Sequence, residues 1–458
     1  MADQIVNYDG SITTNPRKLV YPENVDTIRE VLRNSNEYPS PVRAMGSYHS
    51  LTPCASADYG TILNMSRMNR VIAIDPKNET LTAEAGLQVI EASRALRRHD
   101  LQLMTNIEIG NLTLGAGACC HSKDALDGIP FGQVCSYVTK IKWVKPNGDL
   151  AEVSESNNPE LLHKMRSSHG LCGVIYEVTY RIKRIEAIQL TYEPRRVDAL
   201  TEDEVDKLMT EPVGLICWTV GRTAVFQRRV RISQPAVFGS LEAALRRRLW
   251  SHTEAHAGHF IGQFIPTKFL RAAFQQVVFG GTRALYSMLW LMGGITMLGP
   301  DKIVDYRSTP PSAKYAFTFW AFPRSKWLFT LRAYLDFADR YYNDTGFRCN
   351  MPLGAYHIRR DRNSILSYSY DEDMFSIDPI HASTDSPAWH KFLRAFNDFA
   401  SMHKGIPLLN QSPFVERKHL ESAFGRRWFE FSKWVAEEDP TRRMLNPFFA
   451  DLLSLEAA

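Results

Sequence analysis

The segment Val42-Arg-Ala-Met-Gly-Ser-Tyr-His-Ser50 sets a histidine at the end of a turn of small residues. Gly46, Ser47 and Ser50 let backbone N–H groups approach an anionic group closely, because no bulky side chain intervenes. The imidazole of His49 is a nucleophile when it is neutral. Alone, the segment reads equally well as an ordinary loop with a hydrogen-bonded histidine. A second stretch, Gly110-Asn-Leu-Thr-Leu-Gly-Ala-Gly-Ala-Cys-Cys-His121, carries no charge before Lys123 and allows a ligand to lie along backbone. A tightly packed core loop would have the same composition. In the third, Ser167-Ser-His-Gly-Leu-Cys-Gly-Val-Ile-Tyr176, Gly170 and Gly173 lead directly into a strand.

These loops need strands and helices to aim them, and the pattern supplies both. Pro22 to Leu32 has helix-start chemistry and apolar residues at helical spacing. Short β-branched runs follow at 71–74, 80–83, 141–144 and 174–182, with Pro146-Asn-Gly-Asp149 as a hairpin turn and a helix from Gln88 to His99. The class is α+β. Further on, 191–197, 213–220 and 223–232 read as strands, 238–300 as an unusually apolar helical insert, and 316–321 as a strand before an amphipathic helix at 327–342. His419 to Val435 reads as one helix. The expected division is 1–185, 186–404 and 405–458.

At 458 residues the chain is too long for one ordinary core. Its 54 basic residues nearly match 50 acidic ones, a net +4 that gives no case for nucleic-acid binding. Seven cysteines without framework spacing fit reduced thiols in the cytoplasm. With no C-x-x-C pair, no metal is expected. The first residues have no apolar core of the secretory kind.

Together the three loops, in this order and spacing, resemble the FAD-binding domain of the vanillyl-alcohol-oxidase and p-cresol-methylhydroxylase superfamily. The resemblance is greatest to its aldonolactone and alditol oxidase branch. It runs through Arg43 to Ser50, 62–71, 81–86, Leu112 to His121, the Asn147-Gly-Asp149 turn, 154–157 and Gly170 to Ile175. It implies a two-subdomain FAD-binding domain with an α+β cap, and FAD joined through its 8α-methyl to His49. The implied cofactor contacts are Arg43, Met45, Gly46, Ser47, Tyr48, His49 and Ser50 in the first loop. In the second they are Leu114, Gly115, Gly117, Cys119, Cys120 and His121, and in the third Gly170, Gly173, Val174 and Ile175. Tyr48 stands where many relatives have glycine. Cys119 and Cys120 lie past the place a second, cysteinyl attachment would need, so a single bond is expected.

The resemblance also implies chemistry: oxidation of a CH–OH group of a sugar, polyol, lactone or related alcohol, with O2 or another acceptor. In that branch a Glu-x-Arg pair and a His-Trp-x-Lys motif serve the reaction. The nearest counterpart of the first is Tyr356-His-Ile-Arg359, with His357 as proton acceptor and Arg359 as charge stabiliser on one strand face. Arg359 could equally pair with Asp361 or Asp373. The second motif is replaced by Leu408-Leu-Asn-Gln-Ser-Pro413, where Asn410 and Gln411 can hydrogen-bond but carry no charge. Both departures argue against a true aldonolactone oxidase. The charge-free run 284–300, preceded by a basic aromatic segment from Arg246, reads as a buried helical pair or as a peripheral membrane contact through 246–300. The rival readings are a nicotinamide-dependent C=C reductase and a lipid-linked-sugar oxidase.

Overall fold

The computed structural model describes residues 4–105, 107, 109–125, 130–210, 213–232, 314–382, 384 and 386–455, with isolated positions between 273 and 297. The expected insert at 238–300 and the membrane contact through 246–300 fall outside the described residues, those positions apart. Among the described residues, no helix is long and apolar enough to cross a membrane.

Three small units of structure meet. The first is a parallel sheet with Thr61–Asn64 between Lys18–Val20 and Val42–Met45. Helix Val25–Arg33 covers it, burying Ile28, Val31 and Leu32 at helical spacing, and begins where the Asn24 side chain accepts from Thr27 N at 3.0 Å. The second is an antiparallel sheet ordered Leu150–Ser154, Val138–Val144, Val174–Arg184, Thr80–Glu84, Val71–Asp75. Its hairpin turns at Gly148, which sits at φ +84°, as the Asn-Gly signal predicts. Helices Val89–Arg97, Leu114–Cys119 and Pro159–Met165 pack around this sheet.

The third unit is an eight-stranded antiparallel sheet. Its centre is Gly214–Val220 beside Leu353–Ile358, flanked by Met374–Ile377 and Trp320–Pro323 on one side and Thr223–Ile232 and Ala187–Arg196 on the other. One face of this sheet packs against helices Trp327–Thr345 and Pro387–Met402: the Trp327 ring lies 4.2 Å from Phe375. The other face carries Ile216, Trp218, Gly354, Tyr356 and Ile358 and looks back toward the first two units, where Ala125 joins its apolar cluster.

Two elements differ from the sequence reading. The 316–321 run splits into Ala316–Phe317 and Trp320–Pro323, which pair with different strands. The single helix read at 419–435 is two, Arg417–Phe424 and Arg426–Glu438, broken at Gly425 with φ +53°. A left-handed residue cannot continue a right-handed helix. The chain then returns to its beginning: Arg443 Nη2 donates to Val31 O at 2.6 Å, and Val42 N donates to Arg443 O at 2.8 Å.

Candidate active site

The first loop leaves the C-terminal end of the parallel strand Val42–Met45, the usual place for a ligand on a parallel sheet. Tyr48 takes φ +52° and swings its ring into the core beside Met45, where its hydroxyl meets Ser56 Oγ at 2.8 Å. That turn leaves His49 facing the other way. Its half-buried ring stacks on Tyr8, with centroids 4.4 Å apart and planes at 24°. Burial pushes the imidazole down to about 4, against an opposing hydrogen bond with the Asn111 side chain. The ring is therefore neutral near pH 7, the state a nucleophilic nitrogen requires. Ser50 O accepts from Asn7 Nδ2 at 3.0 Å.

The second loop touches the first directly. Ser47 Oγ donates to Asn111 O at 2.5 Å, and a Cβ on Gly46 would collide with Thr113 Oγ1 and lie 2.8 Å from its Cγ2. The third is tied to both. Arg43, buried, donates to the carbonyls of His169 at 2.6 Å, Gly170 at 3.1 Å, Cys54 at 2.7 Å and Met444 at 3.0 Å. His169 N donates to Cys119 O, Cys120 Sγ lies 3.5 Å from His169 Nδ1, and His121 Nε2 meets Ser167 Oγ at 3.1 Å. The three segments singled out in the sequence thus converge on one region.

Within them the roles divide. Arg43 holds loops together, spending its guanidinium on these backbone carbonyls. Leu114 O accepts from Tyr180 Oη at 2.7 Å, and a Cβ on Gly115 would lie 2.7 Å from Ala85. Gly117 and Gly173 are just as confined: a Cβ would lie 3.1 Å from Tyr180 Oη at the first and collide with Val144 O at the second. Val174 and Ile175 pair with Val144 and Trp143 in the sheet. These positions shape the second sheet. Gly170, at φ +70°, is open by comparison, since a Cβ there would meet only Arg43 within 4 Å. The Cys119 thiol is held low by a hydrogen bond with Cys120, whose own thiol is raised.

Opposite the loops, the turn 408–412 abuts His49's neighbours: Leu51 N donates to Asn410 O at 2.9 Å, and Thr52 Oγ1 to Leu409 O at 2.8 Å. The side-chain oxygens of Asn410 and Gln411, the Tyr368 hydroxyl and Thr318 Oγ1 are all buried without a hydrogen-bond partner among the described residues. Such orphaned groups each cost about 1–3 kcal/mol unless a ligand satisfies them. A flavin ring edge, with its two carbonyls and one N–H, suits that set of amide and hydroxyl groups, and the neutral His49 suits its methyl edge.

His357 is placed differently from the sequence expectation. It pairs in register with Phe375 and stacks on that ring at 6.0 Å and 22°, on the sheet face that Trp327 covers. Its Nε2 lies 3.5 Å from Asp373 Oδ2. With Arg359, which lies past the end of the strand, it lines a small cavity beside Asp124, Gly132 and Gly214. Because side chains alternate along a strand, the residues of Leu353–Ile358 that look toward the loops are Gly354, Tyr356 and Ile358. Sequence reasoning also passed over Lys123 and Asp378, which meet on that face at 3.5 Å. Lys123 was visible only as the first charge after an uncharged stretch, and nothing in the sequence marks Asp378.

The parallel and antiparallel units meet at these three loops, and the eight-stranded sheet turns one face toward them. Residues 16–154 match the family model described as FAD binding domain. L-gulonolactone oxidase of Mus musculus is 29% identical over 178 residues, 38% of this chain and 39% of that one. The chain thus matches well under half of that relative's length. L-gulonolactone oxidase of Scyliorhinus torazame is 22% identical over 81% of this chain and 80% of its own. Among solved structures, cholesterol oxidase from B. sterolicum superposes with TM-score 0.73 at 15% identity, over 98% of this chain and 96% of that one. Residues 16–154 thus form an FAD-binding domain, and the sequence relatives that match this chain are aldonolactone oxidases and dehydrogenases.

Proposed function

We propose that this chain is an FAD-dependent oxidoreductase that oxidises a CH–OH group of a sugar, polyol, lactone or related alcohol, with FAD bonded to His49. The observation that carries the reading is the placement of the His49 ring, stacked on Tyr8 and beside Asn111 where three backbone loops converge. Its nitrogen lone pair is available for a C–N bond to the flavin's 8α-methyl carbon. Bound there, FAD supplies a two-electron acceptor at N5, which O2 or another acceptor later restores. Residues 1–185 hold the cofactor, 186–404 form the cap over the substrate, and 405–458 bring Asn410 and Gln411 to the cleft. The setting is the cytoplasm; a peripheral lipid contact through 246–300 belongs to a lipid-linked donor, which liposome flotation of full-length and 284–300-deleted protein tests.

Acid-precipitated wild type should stay yellow, whereas His49→Ala should release its flavin. A colourless pellet from flavin-loaded wild type would defeat the covalent bond. Anaerobic mixing with a panel of alcohols, sugars and lactones should bleach the flavin. Bleaching by NADPH alone would transfer the protein to the C=C reductases.

A further inference from the structure

We infer that the Lys123–Asp378 pair is the reacting ion pair of the cleft: Asp378 takes the proton of the substrate hydroxyl, and Lys123 holds the oxygen it leaves. This rests on the CH–OH reading above. Lys123 reaches across from the second loop region, and Asp378 comes from the cap, next to Met374–Ile377. Their side chains are 8% and 4% exposed. The ammonium sits 4.0 Å from the Phe319 ring and 4.7 Å from Tyr356, on the sheet face turned toward the loops.

A second buried ion pair nearby shows what a purely structural one looks like. Arg229 Nη1 donates to Asp124 Oδ1 at 3.0 Å, the same oxygen accepts Ala125 N at 2.8 Å, and Arg229 Nε donates to Gln227. That pair is saturated. The Lys123–Asp378 contact is 3.5 Å, longer than the about 2.7–2.9 Å of a closed charge-assisted bond. Asp378 Oδ1 is buried with no hydrogen-bond partner among the described residues. A buried pair closed this loosely is weak evidence of a stabilising role.

The backbone keeps it open. Asp378 and Gly354 exchange both backbone hydrogen bonds, at 2.8 and 3.1 Å, across the sheet. A Cβ at Gly354 would lie 3.4 Å from Trp218 and 3.7 Å from Asp378 Cβ, so a longer side chain there would cover the carboxylate. Burial raises the Asp378 carboxyl to about 6, with Lys123 and a hydrogen bond with the Ser376 side chain pulling the other way. A base with that value is ionised at neutral pH and still binds a proton well. Tyr368 also feels the Asp378 charge, and burial holds its hydroxyl protonated.

The balance is simple. The substrate O–H bond breaks and its proton passes to Asp378 Oδ1. The oxygen's electron pair forms the carbonyl as the C–H pair leaves as hydride to oxidised flavin. The substrate loses two electrons, the flavin gains two, and Asp378 returns its proton to solvent when the flavin is reoxidised. Lys123 keeps all its bonds and offsets the negative charge on the oxygen.

The test uses flavin-loaded full-length protein. In wild type the visible spectrum of the oxidised flavin should shift with pH at a midpoint near 6. Asp378→Asn should abolish that shift, and Lys123→Met should move it upward. Asp378→Asn should also slow anaerobic reduction by a saturating alcohol or lactone more than 100-fold and flatten its pH profile. Lys123→Met/Asp378→Asn, which leaves no lone buried charge, should keep the wild-type melting temperature and flavin content while remaining equally slow. A spectral shift that survives in Asp378→Asn, or reduction within threefold of wild type, overturns the inference. Wild type that no such donor bleaches would sink the CH–OH reading itself, whereas equal bleaching of wild type and Asp378→Asn would sink only this step.

Discussion

The Arg43 guanidinium donates to the carbonyl oxygen of His169 at 2.6 Å, across 126 residues of sequence. One cation thereby locks the first and third loops, and through Cys54 and Met444 it anchors two further segments. Arg43→Met should lower unfolding free energy by about 3–5 kcal/mol, because it strands buried carbonyls. Urea denaturation measures this. A loss under about 1 kcal/mol would show that the carbonyls find other donors.

The same neighbourhood predicts a pH dependence. Burial pushes the His169 imidazole down to about 3, with the Arg43 cation adding to the shift, and holds His121 well below its ordinary value. The folded protein keeps these rings neutral, whereas the unfolded chain protonates them below about pH 6.5. Their contribution is therefore complete above pH 7 and falls as pH drops. For His169 the loss is about 2 kcal/mol by pH 5. His169→Gln should show a shallower fall than wild type between pH 7.5 and 5; parallel curves would refute the assignment.

Gly46 faces Thr113 so closely that a methyl group has no room, falling on Oγ1 and 2.8 Å from Cγ2. Gly46→Ala should push the first two loops apart, costing about 1–3 kcal/mol and weakening flavin retention. Gly46→Ala/Thr113→Gly should recover most of both. Failure of the second change to rescue flavin content would mean that the glycine serves something other than loop contact.

His357 stands on the helix side of its strand, so its loss should leave flavin reduction within about threefold while lowering the melting temperature by a few degrees. Stopped-flow reduction of His357→Gln decides. A drop of more than tenfold would return this residue to the chemistry.

The N-terminal cofactor domain was readable because its loops announce themselves locally: runs of small residues beside β-branched strands mark where backbone must come close. At finer scale the runs have two readings. A Cβ at Gly115, Gly117 or Gly173 would meet Ala85, Tyr180 or Val144, and a sequence does not distinguish a near neighbour from a ligand. Which side of Leu353–Ile358 faces the cleft was not legible either. Alternation assigns two faces but not which one is covered, and a one-residue difference exchanges His357 for Tyr356. Asp378 reaches Lys123 over 255 positions, a distance no local pattern spans.

The cradle around Arg43 is finished by the distant segment that holds Met444 and Asn446. Met444 O lies 401 positions from its donor, and Asn446 Nδ2 reaches back to Pro53 O and Ser56 O, both at 2.9 Å. A ribosome releases the N-terminal strands long before it makes these partners, and domains mature as their contacts become available. Cofactor capture should therefore wait for residues 443–446, and nascent chains stalled upstream of residue 443 should retain FAD less well than chains that include them.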